Sequence, residues 1–191
     1  MRIISYNVNG IRAAIKKGFL DWLKTDPADV ICLQEVKAHK EDIDIPSIKE
    51  AGYESAWFCA QKKGYSGVGI LSKVKPDNVV EGCKIEQSDF EGRVLQADFK
   101  DVTIISVYFP SGTSGDIRQS YKYVWLDEFF EYLSELRKKR NKLIVCGDYN
   151  IAHKAIDIHN PVANKKTTGF LPEERAWMDK LLEDGDRKSV V

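Results

Sequence analysis

The 191-residue chain has no surplus of charge of either sign, because 29 Lys and Arg are balanced by 29 Asp and Glu. A general polyanion binder usually carries a basic excess that displaces counterions, so indiscriminate clinging to nucleic acid is excluded while a local basic groove is not. Long apolar runs are missing as well. None approaches the roughly 20 residues that a membrane-spanning helix needs, and Met1-Arg2-Ile3-Ile4-Ser5 reads as a strand rather than a secretory signal. No membrane partner is expected, and a cytoplasmic location is. Cysteine is scarce: Cys32, Cys59, Cys83 and Cys146 lie far apart without a C-x-x-C pair, three of them inside apolar strand-like runs, and they read as buried free thiols. No repeat, low-complexity tract or Pro/Ser-rich linker divides the chain, which implies one domain. Against these absences stands a 43% hydrophobic fraction, too high for disorder and sufficient for a single core of mixed α and β elements.

Strand-like runs dominate. They are Ile3–Val8, Val30–Glu35, Tyr53–Phe58, Gly67–Leu71, Val79–Ile85, Arg93–Phe99, Val102–Phe109 and Leu143–Asp148, mostly β-branched or aromatic and bounded by turn-forming residues. Between the first two, Ile11, Ile15, Phe19, Trp22 and Leu23 recur at helical spacing, which predicts a β-α-β opening with a helix over Ile11–Leu23. A longer helix is predicted over Gln119–Lys139, with Val124, Leu126, Phe129, Phe130, Leu133 and Leu136 as its apolar stripe. The basic quartet Arg137-Lys138-Lys139-Arg140 closes it. Cations in a last turn offset the helix macrodipole, and that reading is preferred to a nucleic-acid patch. Pro172-Glu173-Glu174 opens a further helix that ends at Gly185. Loop lysines at Lys62-Lys63, Lys73, Lys75 and Lys165-Lys166 read as solvated surface unless folding gathers them on one face.

Polar residues collect at strand ends: Asn7 and Asn9 after the first strand, Glu35 after the second, Tyr108 in the seventh, Asp148 and Asn150 after the eighth. Each could simply begin a turn, and Asn9-Gly10 in particular has turn chemistry. If neighbouring strands end at one edge, however, these groups converge and offer the hard oxygens that Mg²⁺ or Mn²⁺ prefers. Glu35 is the hardest to explain otherwise, since Val30–Gln34 would carry its charge into a dry environment unless something compensates it. Gly147-Asp148-Tyr149-Asn150 repeats the situation after Leu143–Cys146. Two such acids make a metal hydrolase plausible, whereas His153 and His159 read as hydrogen-bonding residues rather than ligands.

The segments Ser5–Arg12, Leu33–Lys37, Gly64–Val68, Tyr108-Phe109-Pro110, Gly147–His153, Asn164-Lys165-Lys166 and Gly169–Arg175 together resemble the endonuclease/exonuclease/phosphatase superfamily, and within it the exonuclease III type of abasic-site endonuclease. Asn-Gly-Ile-Arg and Asn-Lys-Lys separate the DNA-repair branch from the phosphatase branches. The resemblance implies an α/β fold, a two-layer β-sandwich flanked by helices. It also implies hydrolysis of phosphodiesters beside abasic sites and at 3′ ends of duplex DNA, by a monomer. Position by position, Asn7, Glu35, Asp148 and Asn150 would surround Mg²⁺ or Mn²⁺. Tyr108, Asp148 and Asn150 would be catalytic, with Asp148 activating water, Asn150 orienting it and Tyr108 donating to a phosphate oxygen. Asn9, Arg12, Lys37, Asn164, Lys165 and Lys166 would contact DNA, phosphate contacts being the kind that position a duplex without reading bases.

The same resemblance implies further strands bearing Trp-Arg-Ile-Asp-Tyr-like and Ser-Asp-His-like motifs, which this sequence does not contain. The expectation is therefore a domain over residues 1–185 whose second sheet is incomplete. Asp186–Val191 would be an aberrant tail, matching the translation of a sequencing-adapter stretch. Leaving ~400 Å² of apolar face open would forfeit about 10 kcal/mol, comparable with the roughly 5–15 kcal/mol of a domain, so poor solubility and impaired turnover are expected. Two other functions stay open: a non-catalytic DNA- or protein-binding remnant, and a phosphomonoesterase sharing the metal site.

Overall fold

The computed structural model describes residues 1–140 and 142–183, and the expected tail lies outside them. Two compact units are resolved: Met1–Phe109 with Leu133–Asp148, and Pro110–Tyr132 with the described residues that follow Asp148. All eight predicted strands form, as β1 Ile3–Asn7, β2 Val30–Gln34, β3 Glu54–Phe58, β4 Val68–Ser72, β5 Asn78–Glu81, β6 Val94–Phe99, β7 Val102–Tyr108 and β8 Lys142–Asp148. They make two four-stranded sheets within the first unit, ordered β1-β2-β4-β3 and β5-β6-β7-β8. The β1–β2 and β7–β8 pairs are parallel and the rest antiparallel.

Side-chain alternation explains how the layers form, since successive residues of a strand face opposite sides of its sheet. In β2, Val30 and Cys32 join Val68, Ile70, Leu95, Ala97 and Ile104 in a core between the two sheets. Ile31 and Leu33 turn the other way, into a core with Ile11, Ala14, Phe19, Leu23 and Ile48 from the helices. Every residue of β2 is buried, which is why Val30–Leu33 reads as an unbroken apolar run. Polar contacts between β2 and β7 help tie the sheets: Ser106 Oγ donates to the Leu33 carbonyl at 3.1 Å, and Gln34 Nε2 lies 3.3 Å from the same hydroxyl.

Several expectations change in detail. The single helix over Ile11–Leu23 is two, α1 Ile11–Lys16 and α2 Phe19–Thr25. The chain turns between them at Gly18, whose φ of 96° suits only glycine comfortably. The strand predicted over Val79–Ile85 stops at Glu81, because Asp89 accepts hydrogen bonds from the backbone N–H groups of Cys83 and Lys84 and pulls the chain off the sheet. Two short helices escaped the periodicity, α3 Ile45–Glu50 and α4 Glu86–Phe90. For α3, Asp44 caps the Ser47 N–H and Pro46 lies in the first turn. In α5, Asp116–Arg137, Val124 is exposed rather than part of the stripe, and the buried row is Lys122, Trp125, Leu126, Phe129 and Leu133. The helix opened by Pro172 is α6, Pro172–Glu183, and its expected end at Gly185 lies outside the described residues.

The basic quartet serves the fold. Arg137 lies in the last turn of α5, Lys138 pairs with Glu135, and Arg140 Nη2 reaches the buried Asp98 carboxylate at 2.7 Å. All four cysteines are free thiols, with Cys32 and Cys83 buried and Cys59 and Cys146 only partly so. Burial pushes Cys59 up to about 11 and Cys83 up to about 12, so both stay protonated and unreactive near neutral pH.

At Gly147 the β8 backbone passes so close to the Val107 carbonyl that a Cβ would overlap it. Gly147→Ala must push β8 away from β7, and about 1–3 kcal/mol of stability is expected to be lost, read as a lower urea midpoint at unchanged m-value.

Candidate active site

The strand ends are fixed before any side chain is considered. Main-chain hydrogen bonding between the first two strands continues past β1, with Val8 N–H donating to Gln34 O at 3.0 Å, Gly10 to Glu35 at 2.7 Å and Ile11 to Val36 at 3.0 Å. On its other side the segment after β2 is held by the loop before β4, with Val36 N–H donating to Gly67 O at 3.0 Å and Lys37 N–H to Ser66 O at 2.8 Å. Asn9, Glu35, Lys37 and Ser66 all have left-handed φ angles of 44–53°. Such conformations are costly for non-glycine residues and persist only where surrounding structure imposes them. Gly67 lets the segments approach, since a Cβ there would meet Val36 Cβ at 3.3 Å.

On this frame the alternation that builds the inter-sheet core also delivers the site. Asn7 follows Ile3 and Ser5 on one face of β1, Tyr108 follows Ile104 and Ser106 on β7, and Asp148 follows Cys146 on β8. Ile3, Ile104, Tyr108 and Cys146 all belong to or pack on the inter-sheet core. Asn7 Nδ2 donates to Glu35 Oε1 at 2.8 Å and to Asp148 Oδ2 at 2.9 Å, so two carboxylates 113 positions apart in sequence share one nitrogen. The Asn7 oxygen accepts from Asn9 N–H at 3.0 Å, which fixes the amide in this orientation. Asn7 therefore faces the acids with its nitrogen, not with the oxygen that a metal ligand would present.

Lys37 also differs from expectation. Its ammonium lies 2.5 Å from Glu35 Oε2 and 2.6 Å from Asn9 Oδ1, spanning the two rather than standing free for a DNA phosphate. Burial by itself would raise the Glu35 pKa. Hydrogen bonds from Asn7, Lys37 and Tyr108, with the charge of Lys37, outweigh that and hold the carboxyl below its ordinary value. Tyr108 moves the opposite way: burial first, then the neighbouring Glu35 charge, keeps its phenol protonated well above its usual range and able to donate.

Behind Tyr108 is a residue that sequence reasoning did not single out. Arg93 is 1% exposed, donates to the Tyr108 carbonyl at 2.8 Å and to Tyr65 Oη at 3.2 Å, and pairs with Glu91 at 2.5 Å. Its Cζ stands 5.0 Å from the Tyr108 ring centroid. The available signal was Glu91-Gly92-Arg93 immediately before an apolar strand, a charged pair with little room to reach solvent.

Arg12 is exposed on α1. In the second unit Asn150 has a φ of 50°, and its carbonyl accepts from the buried Lys122 at 2.8 Å. Lys165 and Lys166 are exposed in a 3₁₀ turn, Ala163–Lys166. The Asn164 side-chain nitrogen is committed to the carbonyls of His159 at 2.9 Å and Asn160 at 3.1 Å, so it shapes that loop. His153 is buried, with Nε2 2.7 Å from Asp179, and is a hydrogen-bonding residue as expected.

Whether a divalent cation suits this site follows from the donors. Among the described residues no three His, Cys, Asp or Glu side chains cluster, so an all-protein cage is not offered. Two convergent carboxylates nevertheless fit Mg²⁺, which is typically held by one or two carboxylates with water and phosphate oxygens completing its shell.

Residues 4–186 match the endonuclease/exonuclease/phosphatase family, and the chain belongs to it. Several of its relatives are DNA nucleases by name. An exodeoxyribonuclease of Bacillus subtilis is 41% identical over 186 residues, covering 97% of this chain and 72% of that protein. A DNA repair nuclease of Danio rerio is 41% identical over 187 residues, covering 97% of this chain, which spans only 60% of that relative's length. Among solved structures, an AP endonuclease from Archaeoglobus fulgidus superposes with a TM-score of 0.86 at 29% identity, over 97% of this chain and 71% of that one. A 3′ phosphatase from Neisseria bound to a product DNA hairpin gives 0.88 at 27% identity, over 96% and 70%.

Lys37→Met removes the cation beside Glu35. In the metal-free protein the Glu35 carboxyl should then titrate at higher pH, as followed by carbon-13 NMR. A carboxyl depressed on folding stabilises above its unfolded pKa, about 4.3, and that contribution fades as pH falls through the folded value. The urea midpoint of Lys37→Met should accordingly fall less between neutral and acid pH than that of the parent.

Proposed function

We propose that the chain is a divalent-metal-dependent DNA phosphodiester hydrolase of base excision repair. It cuts beside abasic sites, trims 3′ ends and removes 3′ phosphates on duplex DNA, acting as a single chain in the cytoplasm. The observation that carries this reading is the shared Asn7 nitrogen, which sets the Glu35 and Asp148 carboxylates around one point at the end of the inter-sheet face. The names of the DNA nucleases it resembles support the substrate class.

In this reading Glu35 and Asp148 hold Mg²⁺ or Mn²⁺. When bound, the cation supplies Lewis-acid stabilisation of charge on the phosphate oxygens. Asp148 takes the proton of the attacking water, and Asn150 orients that water or a phosphate oxygen. Tyr108, held protonated by burial and by the Glu35 charge, donates to a phosphate oxygen whose charge grows during displacement. Asn7 keeps both acids in place through its nitrogen. Arg12, Lys165 and Lys166, all exposed, supply phosphate contacts that position the duplex, with Asn9, Lys37 and Asn164 shaping the loops from which such contacts are made.

The test is incubation with Mg²⁺ and a duplex carrying one abasic analogue. Cleavage beside the lesion is expected and should be abolished by EDTA. Asp148→Asn should lower the rate by about 10²–10⁴ without weakening DNA binding, and Tyr108→Phe by about 10²–10³. Binding without cleavage would replace this reading with a DNA-binding remnant. Hydrolysis of a small phosphate ester alone would replace it with a phosphomonoesterase.

A further inference from the structure

The second unit contains a charge pair that the proposed reaction does not use. Lys122 in α5 and Glu174 in α6 are each 0% exposed, and Lys122 Nζ lies 2.6 Å from Glu174 Oε1. A buried ion pair is a poor source of net stability, because desolvation of both charges offsets their attraction, and an apolar pair of similar volume often serves as well. Its presence in the interior invites a role other than stability.

The remaining contacts of the pair indicate that role. Glu174 Oε2 accepts from the Leu171 N–H at 3.0 Å, while Oε1 also accepts from Gln119 Nε2 at 3.3 Å and from Thr168 Oγ1 at 3.5 Å. The carboxylate is thus fixed by two segments, α5 and the loop Thr168–Leu171, and in turn fixes the ammonium. Lys122 Nζ also donates to the main-chain carbonyl of Asn150, at 2.8 Å. Gly169 closes the other side of that carbonyl: a Cβ there would stand 3.2 Å from Asn150 O. Asn150 itself occupies the left-handed region at φ 50°, where a non-glycine residue stays only if its peptide is restrained.

We propose that Lys122, held by Glu174, is a positioning residue that locks the Asn150 peptide and thereby aims the Asn150 side chain. The inference rests on the reading of Asn150 as the residue that orients water or phosphate. Lys122 touches neither. It acts through the backbone of a residue that does, and Glu174 keeps its ammonium aligned inside the protein. A charged group is suited to this task because hydrogen bonds from an ammonium are shorter and stronger than neutral ones and resist exchange of the carbonyl with water.

Lys122→Met alone would leave Glu174 as an uncompensated buried charge and endanger folding, so the decisive variant is Lys122→Met/Glu174→Gln, which removes both charges at similar volume. Two readouts are made on the full chain. By NMR, the Asn150 side-chain amide should lose order in the double variant, while the Asn7 side-chain amide, in the other unit, keeps its own. In Mg²⁺-dependent cleavage of the abasic duplex, kcat should fall about tenfold or more at nearly unchanged KM, and Asn150→Ala should cost far less in the double variant than in the parent, as expected of groups acting as one unit. An Asn150 amide as ordered in the double variant as in the parent overturns the proposal, whether or not the parent cleaves DNA. So does additivity of the two sets of substitutions. A parent that fails to cleave defeats the proposed reaction and leaves the NMR comparison to decide the positioning role.

Discussion

Everything at the site depends on a ladder that does not stop where its strands do. Main-chain hydrogen bonds continue from β1 and β2 into the segments around Asn9 and Val36, and the loop before β4 grips the second of these from its far side. Because each amide is already committed, the residues between them accept left-handed backbone angles that they would otherwise avoid. The Glu35 carboxylate is thereby brought to bear on Asn7, and Asn7 on Asp148. Strain in the backbone is exchanged for alignment of the side chains.

The two-sheet arrangement supplies the second half of the same geometry. A parallel strand pair carries its residues in step, so Asn7 on β1 ends level with Gln34 on β2, and Tyr108 on β7 level with Asp148 on β8. Alternation sends the chosen members of each pair to the inter-sheet side, where apolar residues below them exclude water. The acids sit at the boundary of that dry layer. Burial there raises the cost of charge, and the donors of Asn7, Lys37 and Tyr108 answer it for Glu35.

Buried cations recur behind two of the residues proposed to act on the phosphate. Arg93 braces Tyr108 through its carbonyl and ring, and Lys122 braces Asn150 through its carbonyl. Each is matched by a glutamate close in space, Glu91 and Glu174. Such pairs add little net stability but resist rearrangement, since breaking one strands a charge in the interior.

Periodicity made the strands legible, because β-branched and apolar runs flanked by turn residues have few other ways to fold, and the family pattern pointed to Glu35, Tyr108 and Asp148 from the residues alone. Local chemistry also located the long α5, although its buried row includes Lys122 and omits Val124. Tertiary structure alone decided which way the Asn7 amide turns, that Lys37 spans Glu35 and Asn9, and that the amide of Asn164 closes its own loop. The reason is range. A strand's face is set by neighbours two positions away, whereas the partner of a polar side chain is set by whichever distant segment arrives beside it, and that is known only after the sheets have closed.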